Sequence, residues 1–373
     1  MFQVGPGRPL SVPSEAAKIA RDGDVIEIAP ALYEDDVAIW PQNDLTIRGV
    51  GGRPHVRAGR RLAEDKGIWV IKGRNATVEN LELSAARGPH RNGSGIRGEG
   101  IGLTVRGCYL HDNEAGLLAG GGPESEIVVE RSELAANGFG DGQSHNVYIV
   151  SAKSFTLRAS YSHHARVGHN VKSRAVTTYV LYNRIMDEVS GSSSYAIDLC
   201  AGGLAFVIGN LLQKGVRAES STLVAFGAEG LSGLTDALYV VNNTMVNDRV
   251  RWRWLGRALQ PSAFVRVWGT PSRVKVVNNL FVGSGRVLRG PGEGSHNLHP
   301  SEPGLVDRPG FDYHLGEGAA AVGAGTDPGS LNGFSLCPVA QYVHRAAEEP
   351  RPLLGPIDIG AYGRSGAGKR TRV

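Results

Sequence analysis

Apolar positions along the chain come in short runs that alternate with polar ones at period 2, and the runs themselves recur. The hexapeptides VENLEL, VRGCYL, VERSEL, LRASYS, VLYNRI, VIGNLL, VVNNTM and VVNNLF share one pattern, with fourth positions at Leu81, Cys108, Ser132, Ser160, Asn183, Asn210, Asn243 and Asn279. Successive steps are 27, 24, 28, 23, 27, 33 and 36 residues, the signature of a solenoid whose coils lengthen by loop insertion. Each copy is followed, after a variable loop, by a second short strand: GIRGEG, GLLAGG, NVYIVS, NVKSRA, AIDLCA, TLVAFG or FVRVWG. Segments this short and β-branched, bounded by Gly, Asn and Ser, do not form helices. The pattern predicts an all-β fold, a single-stranded parallel β-helix with coils about 4.8 Å apart.

The column Asn183, Asn210, Asn243 and Asn279 is expected to be structural, since stacked asparagines bond from coil to coil and tolerate left-handed backbone. Open solenoid ends need caps. At the front, SEAAKIARDGDVIEI reads as a short helix capped by Ser14, followed by a Gly23–Asp24 turn into a first strand. Residues 1–363 then form one domain, with an N-terminal cap over 1–30, a closing region over 285–363 and a disordered basic tail over 364–373.

Composition agrees with turn-rich β structure, with 52 glycines in 373 residues. A net charge of +4 is a mild lean towards anionic partners, too small to call for nucleic acid. Cys108, Cys200 and Cys337 cannot all pair within the chain and lack metal-site spacing. Neither a membrane-length apolar run nor a signal peptide is visible in the chain as given. The oligomeric state is not legible.

The front segment AAKIARDGDVIEIAPALYEDD, the coils and the ending IDIGAYG resemble secreted right-handed parallel β-helix proteins. That resemblance implies a secreted or periplasmic protein whose leader has been removed. It specifies fold far better than chemistry.

Taking Ile96, Leu117, Val147, Val171, Ile197, Leu223 and Val265 as inward residues makes Arg97, Leu118, Tyr148, Lys172, Asp198, Val224 and Arg266 an outward column. Tyr148, Lys172 and Asp198 thus form a row, with Arg174 two residues beyond Lys172. Asn146 and Asn170 are placed two residues before the row on the same face, and His145 and His169 stack where the strand begins. A localised polar floor walled by loops is what a binding cleft needs. SAARGPHRNGSG and NDRVRWRWLGRALQPS are the candidate walls, with Trp252 and Trp254 as stacking platforms. The plain alternative is a solvated ladder in which Lys172 pairs with Asp198.

KSRAVTTYVLYNRI is similar to the lysine coil of the alginate and chondroitin lyase family, through Lys172, Ser173, Tyr179 and Asn183. The resemblance implies β-elimination from a uronate, with the lysine as base and an arginine on the next coil as acid. Here Asp198 or Cys200 stands where that arginine belongs. Calcium is also implied, but the acidic ligands expected before Lys172 are not found. Binding of a metal by the histidines with Asp198 is disfavoured, because no tight ligand spacing exists.

The expected partner is therefore an acidic polysaccharide or oligosaccharide. Arg174 suits the carboxylate because guanidinium binds it through two bonds and stays charged. Lys172 as base needs its pKa to fall from about 10.4 towards roughly 7 or 8, and Asp198 opposes that fall. If the two pair, Lys172 becomes a carboxylate binder and Tyr148 or His169 the base. The catalytic set is Tyr148, His169, Lys172 and Arg174; His145, Asn146, Asn170, Asp198, Arg97, Arg266, Trp252 and Trp254 are the binding set. Glycoside hydrolysis, with Asp141, Asp187 or Glu188 joining Asp198, a uronate C5-epimerase, and a non-catalytic carbohydrate-binding solenoid remain the competing readings.

Overall fold

The computed structural model describes residues 1–233, 235–249 and 262–364. Among these, one short helix, Pro13–Ile19, follows the first strand, Phe2–Val4, and the strands from there to Glu293–Ser295 stack in parallel. A full coil carries three strands, for example Ile197–Leu199, Leu204–Ile208 and Leu211–Lys214. They pair with their counterparts in the coils before and after, generating three parallel sheets, here called first, second and third in that order. The first and second are continuous through the long strands Ala115–Glu130 and Val147–Arg158. The chain is a parallel β-helix.

The recurring hexapeptide is not one strand but a corner. In VVNNTM the second-sheet strand Ala237–Val241 ends and the third-sheet strand Thr244–Asn247 begins, with Asn242 and Asn243 between them. The left-handed residue at this corner is the one before the ladder, as at Gly107, Tyr182, Gly209, Asn242 and Asn278. The ladder asparagines themselves are not left-handed, which corrects the sequence expectation. Asn210 Oδ1 accepts from the Asn183 backbone N–H at 2.9 Å and from its amide at 3.0 Å, while Asn210 Nδ2 donates to the Val180 carbonyl at 2.8 Å. Asn243 and Asn279 repeat the pattern, and Ser132 and Ser160 continue it upstream with hydroxyls.

Inside, the column Ile96, Leu117, Val147, Val171, Ile197, Val224 and Val265 is buried throughout. The sequence placed Leu223 in that column, but Val224 pairs with both Ile197 and Val265, so Ala225 is the residue between Asp198 and Arg266. TLVAF is buried at every position, on both faces of the sheet, and thus lacks the polar alternation that would fix its phase.

The helix begins differently from the expectation. Val12, in extended conformation, is the N-cap, Pro13 opens the helix with its preset φ, and Ser14 lies inside it. The Glu15 carboxylate reaches back to the Ser11 N–H at 2.7 Å, and the Ser14 N–H donates to Asp36 Oδ2.

The closing region folds back along the solenoid. Leu336 and Ala340 pack on Leu181, Tyr182, Phe206 and Tyr239 of the second sheet, and Ile359 and Ala361 pack on Leu211, Val246 and Leu280 near the third. Arg158 grips Glu348 through two bonds of 2.9 and 3.0 Å. Arg364 belongs to this region rather than to the tail, since its N–H donates to Asp358 Oδ2 at 2.7 Å. Residues 365–373 lie outside the described ones. The closing region thus covers the outer faces of the second and third sheets over these coils.

Replacing Asn210 by Ala strands buried partners on both neighbouring coils, each worth about 1 to 3 kcal/mol. Urea unfolding of Asn210→Ala is expected to show a loss of about 3 to 5 kcal/mol, and Asn210→Ser roughly half of it, because a hydroxyl serves at Ser132 and Ser160. A loss in the alanine variant no larger than that of a surface substitution would refute the ladder's structural role.

Candidate functional site

The outward row of the first sheet holds the polar cluster. Tyr148, Lys172 and Asp198 are directly paired on three successive coils. The pleat puts all three on the face opposite Val147, Val171 and Ile197.

Lys172 Nζ lies 2.6 Å from Glu229 Oε1 and 3.4 Å from Asp198 Oδ2, and 5.4 Å from the Tyr148 ring centroid. Arg174 Nε donates to the Tyr148 hydroxyl at 2.8 Å, and its Nη2 meets the second oxygen of Glu229. One carboxylate is therefore shared between the lysine and the arginine. Glu229, on the loop after Thr222–Phe226, escaped the sequence reading. AEG after a buried strand has no periodicity to mark it, and only closure of the coil brings it over Lys172.

These contacts decide the charge of the lysine. Burial pushes its pKa down, but the Glu229 hydrogen bond and the Asp198 charge override it and hold the ammonium above its ordinary value. For Glu229, burial raises the pKa, while Lys172 and Arg174 outweigh it and keep the carboxylate below its usual range. Asp198 goes the other way. Burial raises it from 3.8 to about 6 against the pull of Lys172, and its Oδ1 is buried without a hydrogen-bond partner among the described residues.

His169 and His145 stack as expected, with centroids 4.7 Å apart and planes at 9°, and Tyr195 extends the stack at 5.0 Å. Both imidazoles are committed. His169 Nδ1 accepts from the Tyr195 N–H at 3.0 Å, so its Nε2 carries the proton and faces Asp198 Oδ2 at 3.3 Å. His145 Nδ1 accepts from the His169 N–H. Burial lowers His145 to about 3 and His169 to about 2, with Lys172 adding repulsion to each. Each ring therefore stays neutral and serves to position its neighbours.

Asn146 and Asn170 do not reach this face. Both are fully buried in a second internal ladder, where Asn146 Nδ2 donates to Asn170 Oδ1 and to the Leu134 carbonyl. Two residues before Tyr148 and Lys172 the chain is still turning into the strand, so extrapolating the period-2 alternation backwards fails. Arg97 shares the column but is separated from Tyr148 by Leu118 and pairs with Glu99 at 3.4 Å. Arg266 lies two coils beyond Asp198 and stacks on Trp268 at 4.2 Å. Trp268, two residues after Arg266, and Tyr195 are aromatic surfaces beside the row that sequence reasoning passed over; alternation along FVRVWG marks the tryptophan. Trp252 and Trp254 lie outside the described residues.

The other acids considered for hydrolysis are occupied elsewhere. Asp187 is buried against Lys214 at 2.9 Å, and Glu188 binds Tyr161 and Arg184. Asp141 caps its own turn at Gln143. His163 and His164 belong to the third sheet and its corner, with His163 beside Glu133.

Asp198, Cys200 and Glu229 each bring one donor atom within 4.8 Å of the others. They do not fit calcium, which takes six to eight oxygen ligands, because one donor is sulfur and the Lys172 ammonium already bonds both carboxylates.

An acid whose pKa is raised on folding binds more protons in the native state, so its contribution to stability falls as pH rises through the window. For Asp198 the window is about pH 4 to 6. Stability of Asp198→Asn relative to wild type should therefore grow across that window and level off above it, by at most roughly 3 kcal/mol. Urea midpoints at intervals from pH 4 to 7 check this, and a flat difference would mean that Asp198 ionises normally.

No protein-family model matches the sequence, and no curated protein matches it. Among solved structures, the crystal structure of pectate lyase Pel9A superposes with a TM-score of 0.65 over 96% of this chain and 92% of that chain, at 13% identity. The chain shares the parallel β-helix fold of that polysaccharide lyase.

Proposed function

We propose that the protein is a polysaccharide lyase that cleaves an acidic, uronate-containing polysaccharide by β-elimination. The observation that carries this reading is the fork of Lys172 and Arg174 closed on a single carboxylate, that of Glu229. A fork that grips one carboxylate in this way can exchange it for a substrate's. The pectate lyase named above shares the fold, which supports the substrate class, and the positive groups Arg266 and Arg97 extend the same column.

Elimination requires the uronate carboxylate to be neutralised, the proton α to it removed and the leaving oxygen protonated. Lys172 and Arg174 take the first role in place of Glu229. His169 has both ring nitrogens engaged and Lys172 is held as an ammonium, which leaves the Tyr148 hydroxyl as the proton acceptor. The oxygen first gives its own proton to solvent, and Arg174 Nε, which already donates to it, places a cation beside the charge that then accepts the α-proton. The α-proton passes to the Tyr148 oxygen and its bonding pair forms the carbon–carbon double bond. The bond to the leaving oxygen then breaks, and that oxygen takes its proton from the phenol or from water. Asp198, faced by His169 Nε2, holds Lys172 in place. An extracellular setting suits such a substrate.

One observation favours glycoside hydrolysis as a second reading. Asp198 and Glu229 are two carboxylates with pKa values pushed apart, and donor oxygens within 4.8 Å, near the roughly 5 Å of retaining enzymes. The ammonium between them weighs against it.

Incubation with pectate, alginate, glucuronan and glycosaminoglycans should give, on at least one, the ultraviolet absorbance of an unsaturated sugar. Tyr148→Phe should lower kcat at least about 100-fold with KM little changed, whereas Lys172→Ala should act largely on KM. Glu229→Ala, which opens the fork, should lower KM. New reducing ends without absorbance would favour hydrolysis. Full activity in Tyr148→Phe would remove the tyrosine from the chemistry, and polysaccharide binding without turnover on every substrate would leave a binding solenoid.

A further inference from the structure

A second cluster lies on the third sheet, on coils upstream of the row. His55, Glu82 and Tyr109 are paired residues on successive coils, and His111 follows Tyr109 by two on the same face. Glu82 Oε1 stands between two imidazoles, 3.4 Å from His55 Nδ1 and 3.1 Å from His111 Nε2. We infer that His55, Glu82 and His111 form a binding site for a divalent transition-metal ion of the zinc type.

The distances carry the inference. Nitrogen and oxygen ligands sit about 2.0 to 2.2 Å from zinc, so neighbouring corners of a tetrahedron are about 3.3 to 3.5 Å apart. The 3.4 Å separation from His55 lies on that edge, and the 3.1 Å separation from His111 falls about 0.2 Å short of it, so a small side-chain adjustment admits the ion. The ring nitrogens that face away are both held by oxygen acceptors: His55 Nε2 lies 2.7 Å from Ser84 Oγ, and His111 Nδ1 lies 2.9 Å from Asp112 Oδ2. With each outer nitrogen donating, each inner nitrogen presents a lone pair to the ion, the arrangement that orients metal-bound histidines. Asp112 is fixed in turn by Arg166, and His111 is stacked on Tyr109 at 4.1 Å. The three side chains keep 27, 25 and 16% of their surface exposed, so an ion has access and a fourth position stays open to solvent.

The donor set is nitrogen-rich, which favours zinc, cobalt or nickel over calcium and magnesium. Because the ligands come from three successive coils, the ion would staple the N-terminal part of the solenoid. The site is separate from the row and does not depend on the lyase reading.

Tag-free full-length protein, stripped with a chelator and titrated with Zn2+, should bind one equivalent in the micromolar range or tighter, with a rise in melting temperature. Co2+ should give the visible spectrum of a four-coordinate ion. His111→Ala and Glu82→Gln, shown to be folded by circular dichroism, should lose both the binding and the thermal shift, and Asp112→Asn should weaken binding at least about tenfold. Equal Zn2+ affinity in wild type and variants would overturn the inference. A thiolate-to-cobalt charge-transfer band that persists in His111→Ala would also overturn it, because it would put the ion on a cysteine.

Discussion

Everything at the surface of this molecule depends on the coil-to-coil hydrogen bonds of buried side chains at the corners. Each ladder asparagine accepts from the backbone N–H of one coil and donates to a carbonyl, leaving the corner with few ways to pair except in register. A slip of one residue would turn every outward side chain inward. The row Tyr148, Lys172, Asp198 is one product of that constraint, and the His55, Glu82, His111 cluster is another. In both, side chains far apart in sequence become neighbours because the stacking interval is fixed at about 4.8 Å.

Over the downstream coils, the closing region then decides which outward face stays open. By packing Leu336 on the second sheet and Ile359 near the third, it turns outward positions there into core. Tyr179, Phe206 and Tyr239 belong to the same kind of outward column as the site row, yet they stack beneath that cover. The first sheet carries the charged row instead, and its loops supply Glu229.

The architecture was legible because a parallel β-helix repeats its instructions, so one misread coil does not spoil the rest. The row was legible for the same reason: alternation within VYIV, VKS and IDL agrees with the spacing of the corners. The failures occurred where alternation stops carrying information. TLVAF, apolar on both faces, hid the correct phase of Val224. Asn146 and Asn170 precede the regular strand, and their polarity serves the interior rather than the surface. Glu229 and Tyr195 come from loops whose course depends on coil closure, which no local pattern encodes. His55, Glu82 and His111 are each unremarkable in sequence, 27 and 29 residues apart, and gain meaning only once the coils are stacked.

In the proposed elimination, the charge arrangement around Lys172 assigns the lysine and the tyrosine different parts. An ammonium that is mostly buried survives only if anions accompany it, and here Asp198 lies beneath it and Glu229 before it. Displacing Glu229 by another carboxylate keeps that balance, whereas deprotonating Lys172 would leave Asp198 buried with a neutral amine and His169 as its remaining neighbours. Burial raises the Asp198 pKa to about 6, and its Oδ1 is buried without a hydrogen-bond partner among the described residues, so the inner carboxylate is already poorly solvated. In the proposed elimination the proton is therefore taken at the Tyr148 oxygen rather than by Lys172, because Arg174 Nε already donates to that oxygen and no buried anion is abandoned.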